Sequence, residues 1–233
     1  MIPVAILAGG VATRLRPVSE RLPKSLVAVA GEPFIAHQLR LLRREGLERV
    51  VLCVGHLGEM IREFVDDGAR FGLTVEYSFD GDRLLGTGGA LRQALPLLPD
   101  TFFVLYGDSY LDIAFAPVLA AFRRSDASAL MTVFRNEGRW DTSNVLFDGK
   151  RVVRHDKRAP TPDMQYIDYG LGIFTRDALA GRISAVPLDL ADVNAALAAS
   201  GRLAGYEVTQ RFYEIGTPEG LTQTDAYLSK GGR

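Results

Sequence analysis

Residues 1–33, MIPVAILAGGVATRLRPVSERLPKSLVAVAGEP, decide how the rest of the chain is read. Val4-Ala5-Ile6-Leu7 is a short apolar run with the length and composition of a buried strand. Ala8-Gly9-Gly10 follows at once, so the backbone leaves that strand with almost no side chain in its way. The loop beyond delivers the cations Arg14, Arg16 and Lys24, along a path stiffened by Pro17 and Pro23. Backbone N–H groups exposed by glycines, with fixed cations alongside, suit a polyphosphate.

Outward from this stretch, strand-like and helix-like segments alternate. Phe34, Ile35, Leu39 and Leu42 mark one face of a helix that Gly46 ends. Strands are expected over residues 49–54, 73–77 and 102–105. Helices are expected over residues 57–64 and from the turn Gly86-Thr87-Gly88-Gly89 through about residue 98. The second half offers short strand candidates at 130–134, 144–147, 151–155 and 167–174, separated by polar turns. A helix over 188–199 follows, with late strands at 204–208 and 212–215. Thr217-Pro218-Glu219 then starts a last helix running to about residue 229, with threonine as cap and proline at the first position. The expected architecture is α/β: a mostly parallel mixed central sheet with helices on both faces and antiparallel additions in the second half. Ligands of such sheets bind beyond the carboxyl ends of the strands. Gly9-Gly10, the Gly86 turn and Asp108, which follows a strand and Gly107, all fall there.

Composition narrows the function classes. With 233 residues and 47% hydrophobic content the chain can build a full core, and one domain over 1–233 is expected. A net charge of −1 argues against nucleic acid as a partner. The one cysteine, Cys53, excludes an internal disulfide framework and sits in an apolar run as a structural thiol. Its start lacks a signal-peptide pattern and no apolar run is long enough for a bilayer, so a cytoplasmic protein with no membrane partner is expected. His37, His56 and His155 show no metal-ligand spacing.

The opening stretch resembles the signature of the sugar-phosphate nucleotidyltransferases, L-A-G-G-x-G-T-R-L-x-P followed by P-K. Here it reads Leu7-Ala8-Gly9-Gly10-Val11-Ala12-Thr13-Arg14-Leu15-Arg16-Pro17, then Pro23-Lys24. Three further blocks follow in family order: the Gly86 turn, Gly107-Asp108, and Glu214-Ile215-Gly216-Thr217-Pro218-Glu219. The family's third signature glycine is Ala12 in this chain, and the aspartate of its terminal D-x-G-T-P-E is Glu214. The resemblance implies a Rossmann-like three-layer fold that joins a sugar 1-phosphate to a nucleoside triphosphate and expels pyrophosphate. It implies Arg14 and Lys24 as catalytic cations, with Arg16 equally well a solvated charge. Leu7, Ala8, Gly9, Gly10, Thr13, Gly86, Thr87, Gly88 and Gly107 would bind nucleotide. Asp108 and Glu214 would hold Mg²⁺, and Lys157, Asp168 and Gly170 would meet the sugar phosphate. Trp140 and Tyr166 lie near the expected sugar wall. No repeat-built acyltransferase domain is expected after the catalytic domain, and a homodimer is a family-level expectation.

The short chain and Leu85-Gly86-Thr87-Gly88-Gly89 look most like guanylyltransferases for heptose or mannose 1-phosphate. Uridylyltransferases for N-acetylmuramate 1-phosphate, a cytidylyltransferase for a non-sugar phosphate, and a non-catalytic nucleotide sensor stay open. A dehydrogenase is disfavoured because Gly9-Gly10-Val11-Ala12 does not supply G-x-G-x-x-G. A sugar-transferring enzyme of similar fold would usually carry D-x-D, which Asp108-Ser109-Tyr110 lacks.

Overall fold

The computed structural model describes residues 1–10, 21–180 and 187–232. Its first half alternates strand and helix: β1 (Val4–Leu7), the short strands β2 (Ala28–Val29) and β3 (Glu32–Pro33), α1 (Phe34–Arg44), β4 (Arg49–Val54), α2 (Gly58–Val65), β5 (Thr74–Phe79), α3 (Thr87–Ala94) and β6 (Thr101–Tyr106). The second half holds β7 (Ser109–Tyr110), α4 (Phe115–Arg124), β8 (Ala129–Arg135), β9 (Val145–Phe147), β10 (Val152–His155) and β11 (Tyr166–Thr175). It ends with α5 (Arg176–Leu179), α6 (Leu190–Ala199), β12 (Leu203–Val208), β13 (Tyr213–Glu214) and α7 (Pro218–Ser229).

Nine of these strands form one sheet, in the path β10-β9-β11-β6-β1-β4-β5, with β8 and β12 attached along β11. β6, β1, β4 and β5 are mutually parallel. β11 runs antiparallel to β6, β8 and β9, as the mixed second half leads one to expect. The parallel strands are apolar at successive positions because both faces are covered. Val4, Ile6, Val50, Leu52, Phe103 and Leu105 face the helices α1, α2 and α4. Ala5, Leu7, Val51, Cys53, Phe102 and Val104 face α3, α5 and α6. The alternation along each strand thus divides the interior into two layers of packing, one per sheet face.

Two differences from the sequence reading have local causes. α4 was not expected, yet Phe115, Val118, Leu119 and Phe122 sit at i, i+3, i+4 and i+7 and are all buried. α3 stops at Ala94, where the chain tightens into a 3₁₀ turn over Leu95–Leu97 because Pro96 cannot donate to a continued helix. Cys53 is 1% exposed, and burial pushes its thiol up to about 12, in keeping with a packing role.

His155 ends β10 at 2% exposure. Burial lowers its pKa, opposed in part by the Asp168 carboxylate. The unfolded chain takes up that proton near the ordinary value of about 6.5, so the neutral ring stabilises the fold above that pH and the contribution fades as pH falls through the lowered native value. Thermal melts from pH 8 to 5 should show a loss of at most about 1.4 kcal/mol per pH unit from this group. A His155→Gln variant should show a flatter acid limb.

Candidate active site

The carboxyl ends of β6, β1, β4 and β5 lie side by side, and the loops leaving them enclose a cavity of about 370 Å³. Leu7, Ala8, Gly9 and Gly10 line it from the end of β1, Gly107 and Asp108 from the end of β6, and Gly86 and Thr87 from the start of α3. The glycines have distinct reasons to be there. A Cβ on Gly107 would lie 2.6 Å from the Leu7 carbonyl oxygen and 3.0 Å from Ala8 Cα, so the loops after β1 and β6 touch through this residue. The Gly107 N–H donates to that same Leu7 carbonyl at 3.0 Å. A Cβ on Gly10 would meet nothing within 4 Å, so its side faces open space and its backbone is accessible.

Lys24 Nζ donates to Asp108 Oδ2 at 2.7 Å, with Lys24 only 15% exposed. Both side chains are held from behind. Lys24 opens a 3₁₀ turn, Lys24–Leu26, whose Ser25 and Leu26 are buried. Gln38 of α1 is fully buried and donates to the carbonyls of Tyr106 and Ser109, at 3.0 and 2.7 Å, bracing the loop that carries Asp108. The Ile215 N–H donates to the Asp108 carbonyl at 3.0 Å and ties in the β7–β13 ribbon. A cation and an anion are thus fixed at the cavity wall by packed elements.

The Gly86 turn is shaped by a segment far away in sequence. Gly86 has φ +78°, and a Cβ there would lie 2.4 Å from the Leu188 carbonyl oxygen. That carbonyl accepts from the N–H groups of Gly88 and Gly89, and Leu188 N–H donates to Leu85. Thr87 Oγ1 donates to Asp189 Oδ1 at 3.0 Å and accepts from Leu190 N–H, joining the first turns of α3 and α6. Gly86 and Thr87 therefore open on the cavity, while the N–H of Gly88 is directed at Leu188.

Next to this cavity, β11 carries an irregularity between Asp168 and Gly172 in its pairing with β8. Gly170 sits in it at φ +106°, with Ser109 Oγ and Tyr106 Cδ2 within 3.4 Å of where a Cβ would be. Its N–H donates to Asp168 Oδ1 at 3.0 Å, and the Tyr106 hydroxyl donates to Asp168 Oδ2 at 3.2 Å. Burial, and then the Asp168 carboxylate, push the Tyr106 phenol well above its ordinary range, so it stays a proton donor. Lys157 Nζ lies 5.8 Å from the centroid of the Tyr106 ring. Asp168, Gly170 and Lys157 are thus gathered around Tyr106, which itself lines the cavity.

Glu214 stands apart from Asp108. One carboxylate oxygen accepts from the Gly216 N–H and the other from Thr217 Oγ1 at 2.6 Å, at the mouth of α7. A Cβ on Gly220 would lie 1.7 Å from Glu214 Oε1, so the glycine of Thr-Pro-Glu-Gly makes room for this carboxylate. Glu214 lines a second cleft with Trp140 and Arg211, whereas Asp108 lines the main cavity. The guanidinium of Arg211 lies 3.9 Å from the Trp140 ring centroid, and Tyr166 packs edge-on against Phe147. No group of three or more histidine, cysteine or acidic side chains suited to a metal occurs among the described residues. Ala12, Thr13, Arg14 and Arg16 lie outside the described residues. Sequence reasoning passed over Tyr106, Asp80 and Leu84, which line the cavity, and Gln38 and Asp189, which hold its walls.

Comparison with known proteins agrees with this geometry. The nucleotidyl transferase family model matches residues 4–230. The chain is 30% identical over 231 residues to the mannose-1-phosphate guanylyltransferase catalytic subunit beta of Danio rerio, covering 96% of this chain and 64% of that protein. It is 33% identical over 108 residues to the D-glycero-alpha-D-manno-heptose 1-phosphate guanylyltransferase of Campylobacter jejuni, covering 46% of this chain and 48% of that protein. A UTP–glucose-1-phosphate uridylyltransferase from Synechocystis is 34% identical over 135 residues, 53% of this chain and 35% of that one. The chain thus spans less than two thirds of the length of these curated relatives. Among solved structures, HddC from Yersinia pseudotuberculosis complexed with GMP-PN superposes with a TM-score of 0.81 at 22% identity, covering 98% of this chain and 100% of that one. The inositol-1-phosphate CTP transferase from T. maritima does so with a TM-score of 0.80 at 21% identity, covering 100% and 98%. Such likeness shows the fold, and the family match over 4–230 shows the lineage: this chain belongs to the nucleotidyl transferase family.

Proposed function

We propose that residues 1–233 act as one catalytic domain that joins a sugar 1-phosphate to GTP, releasing pyrophosphate, with mannose or heptose 1-phosphate as the favoured sugar. The observation that carries this reading is the Lys24–Asp108 pair, fixed at 2.7 Å on the wall of a glycine-lined cavity at the carboxyl edge of the sheet. In the reaction an oxygen of the sugar phosphate attacks the α-phosphorus of the nucleotide, and the bond from that phosphorus to pyrophosphate breaks. Both reactants are anionic and the nucleophile is already ionised, so the protein has to neutralise charge and align the groups. Lys24 is placed to meet the phosphates, and Arg14 is assigned to the departing pyrophosphate. Asp168, with Tyr106 holding it, would accept hydrogen bonds from sugar hydroxyls, and Lys157 would clamp the sugar phosphate.

The donor set at Asp108 fits Mg²⁺, a hard cation that takes one or two carboxylates together with phosphate oxygens. When bound, the ion supplies charge neutralisation at the phosphates. Asp108 would hold it, and Glu214 would join only by leaving Gly216 and Thr217. The test is pyrophosphate release with and without Mg²⁺, crossing GTP, UTP, CTP, dTTP and ATP against a panel of sugar 1-phosphates. Release with GTP and mannose or heptose 1-phosphate is the expected result. Release with UTP and N-acetylmuramate 1-phosphate, or with CTP and a non-sugar phosphate, would replace this reading. Nucleotide binding with no release across the panel would make the chain a sensor.

A further inference from the structure

One carboxylate in the cavity is not used by the phosphate chemistry. Asp80 follows β5 directly and lines the cavity together with Leu84, Gly86, Thr87 and Ala90. In the sheet path β6-β1-β4-β5 it lies three strands from the end that carries Asp108. That separation is about 14 Å along the carboxyl edge, comparable with the length of a nucleotide laid across the strands. With phosphates at the Lys24–Asp108 end, the base falls at the Asp80 end, where Leu84, Leu7 and Ala90 offer apolar contact to a flat ring.

Asp80 is half-buried, and its Oδ2 accepts from Leu85 N–H at 3.1 Å. Among the described residues no cation pairs with it and no donor is bonded to its Oδ1. A Cβ on Gly55 would lie 3.1 Å from Asp80 Oδ2 and 2.8 Å from Leu84 Cδ2, so Gly55 is what lets carboxylate and leucine approach the backbone here. Burial raises the Asp80 pKa, opposed by the bond from Leu85, as expected of a carboxylate short of donors.

The bases differ in what they offer to such a group. A carboxylate accepts only, so it favours an edge with two adjacent donors. Guanine has one, N1–H beside the 2-amino group. Uracil and thymine place a single N3–H between two carbonyl oxygens, which a carboxylate repels. Cytosine and adenine place an acceptor nitrogen next to their amino group. We infer that Asp80 is the specificity-determining residue of this site, accepting from N1–H and the 2-amino group of guanine.

This inference rests on the nucleotidyl-transfer reading, so its test separates the two. Inosine triphosphate keeps N1–H but lacks the 2-amino group. The wild-type protein should prefer GTP to ITP in kcat/KM by about 10- to 100-fold, the worth of one hydrogen bond to a charged group. In Asp80→Ala the two should be used within about twofold of each other, because the charged acceptor is gone. Calorimetric binding of GMP against IMP should show the same ratio collapse without relying on turnover. Equal use of GTP and ITP by the wild type would overturn the inference and leave guanylyl transfer intact. A preserved ratio in Asp80→Ala would overturn it too, and a preference for GTP over dGTP that vanished in that variant would reassign Asp80 to the ribose. Should Asp80→Ala fail to fold, as judged by its circular dichroism melt, the wild-type comparison and Asp80→Asn decide. Asparagine can keep the Leu85 bond while presenting an amino group to guanine's donors, and it should lower GTP use more than ITP use. Activity with UTP or CTP and none with GTP would remove both the base assignment and the inference.

Discussion

Asp108→Asn is expected to lower turnover by about 10³-fold, the scale of removing one preorganised electrostatic contact to a reacting centre. The substitution is nearly isosteric. Its amide oxygen can still accept from Lys24, and the backbone bonds to Gln38 and Ile215 through neighbouring carbonyls are untouched. Fold stability should therefore change by less than about 1 kcal/mol, since the side chain is 37% exposed and its pairing is partly screened. What is lost is the full negative charge that would hold Mg²⁺ against the nucleotide phosphates. The loss should fall on kcat more than on the KM for GTP, because the base and ribose contacts are elsewhere in the cavity. Steady-state pyrophosphate release, read against Mg²⁺ concentration, is the measurement. Full Mg²⁺-dependent turnover in the variant would remove Asp108 from the metal site.

The parts of this molecule that were legible in its sequence are those whose cause is local. The apolar runs of β1, β4 and β6 could be read as buried strands because helices cover both faces, leaving no polar alternation to confuse the period. α1 and α7 announced themselves through facial periodicity and a Thr-Pro start, and Thr217 Oγ1 does accept from Gly220 N–H at 3.0 Å. α4 carried an equally good periodic signal in Phe115, Val118, Leu119 and Phe122 and was passed over, because it stands where polar turns and short strands begin to dominate.

The site divides along the same line. Gly9-Gly10, Lys24 and Gly107-Asp108 were legible because each is a short motif at a strand end, and the parallel order β6-β1-β4 then brings the strand ends together. The partner of the Gly86 turn was not, since the Leu188 carbonyl that occupies the Gly88 and Gly89 N–H groups lies about a hundred residues away with nothing in its own segment to announce it. Asp80 reads in sequence as an ordinary turn residue in Asp80-Gly81-Asp82; only the position of β5 beside β4 puts it in the cavity. Glu214 shows the reverse limit. A motif position suggested a metal ligand, but the longer side chain folds back onto Gly216 and Thr217, a contact that depends on one methylene and on the space left by Gly220.

Lys24→Met should cost a factor similar to that of Asp108→Asn, about 10³-fold in kcat/KM, and the double variant should be no worse than about the poorer single one. The reasoning starts from the 2.7 Å pair and the 15% exposure of Lys24. Without the ammonium, Asp108 faces the incoming phosphates with its charge uncompensated on the protein side, so the single variant suffers both a missing cation and a new repulsion. Replacing Asp108 as well removes the repulsion while adding no further missing contact, because each residue works on the phosphates through the position the other fixes. Arginine is not an equivalent rescue. Its fork is longer and planar, and the wall that Ser25 and Leu26 form behind Lys24 is buried, so Lys24→Arg should recover less than a tenth of the activity, about the difference between a point charge and a misplaced fork. Additive losses in the double variant would mean that Lys24 and Asp108 act on different phosphates independently, and that their contact in this structure is only the resting arrangement of two side chains that part when nucleotide binds.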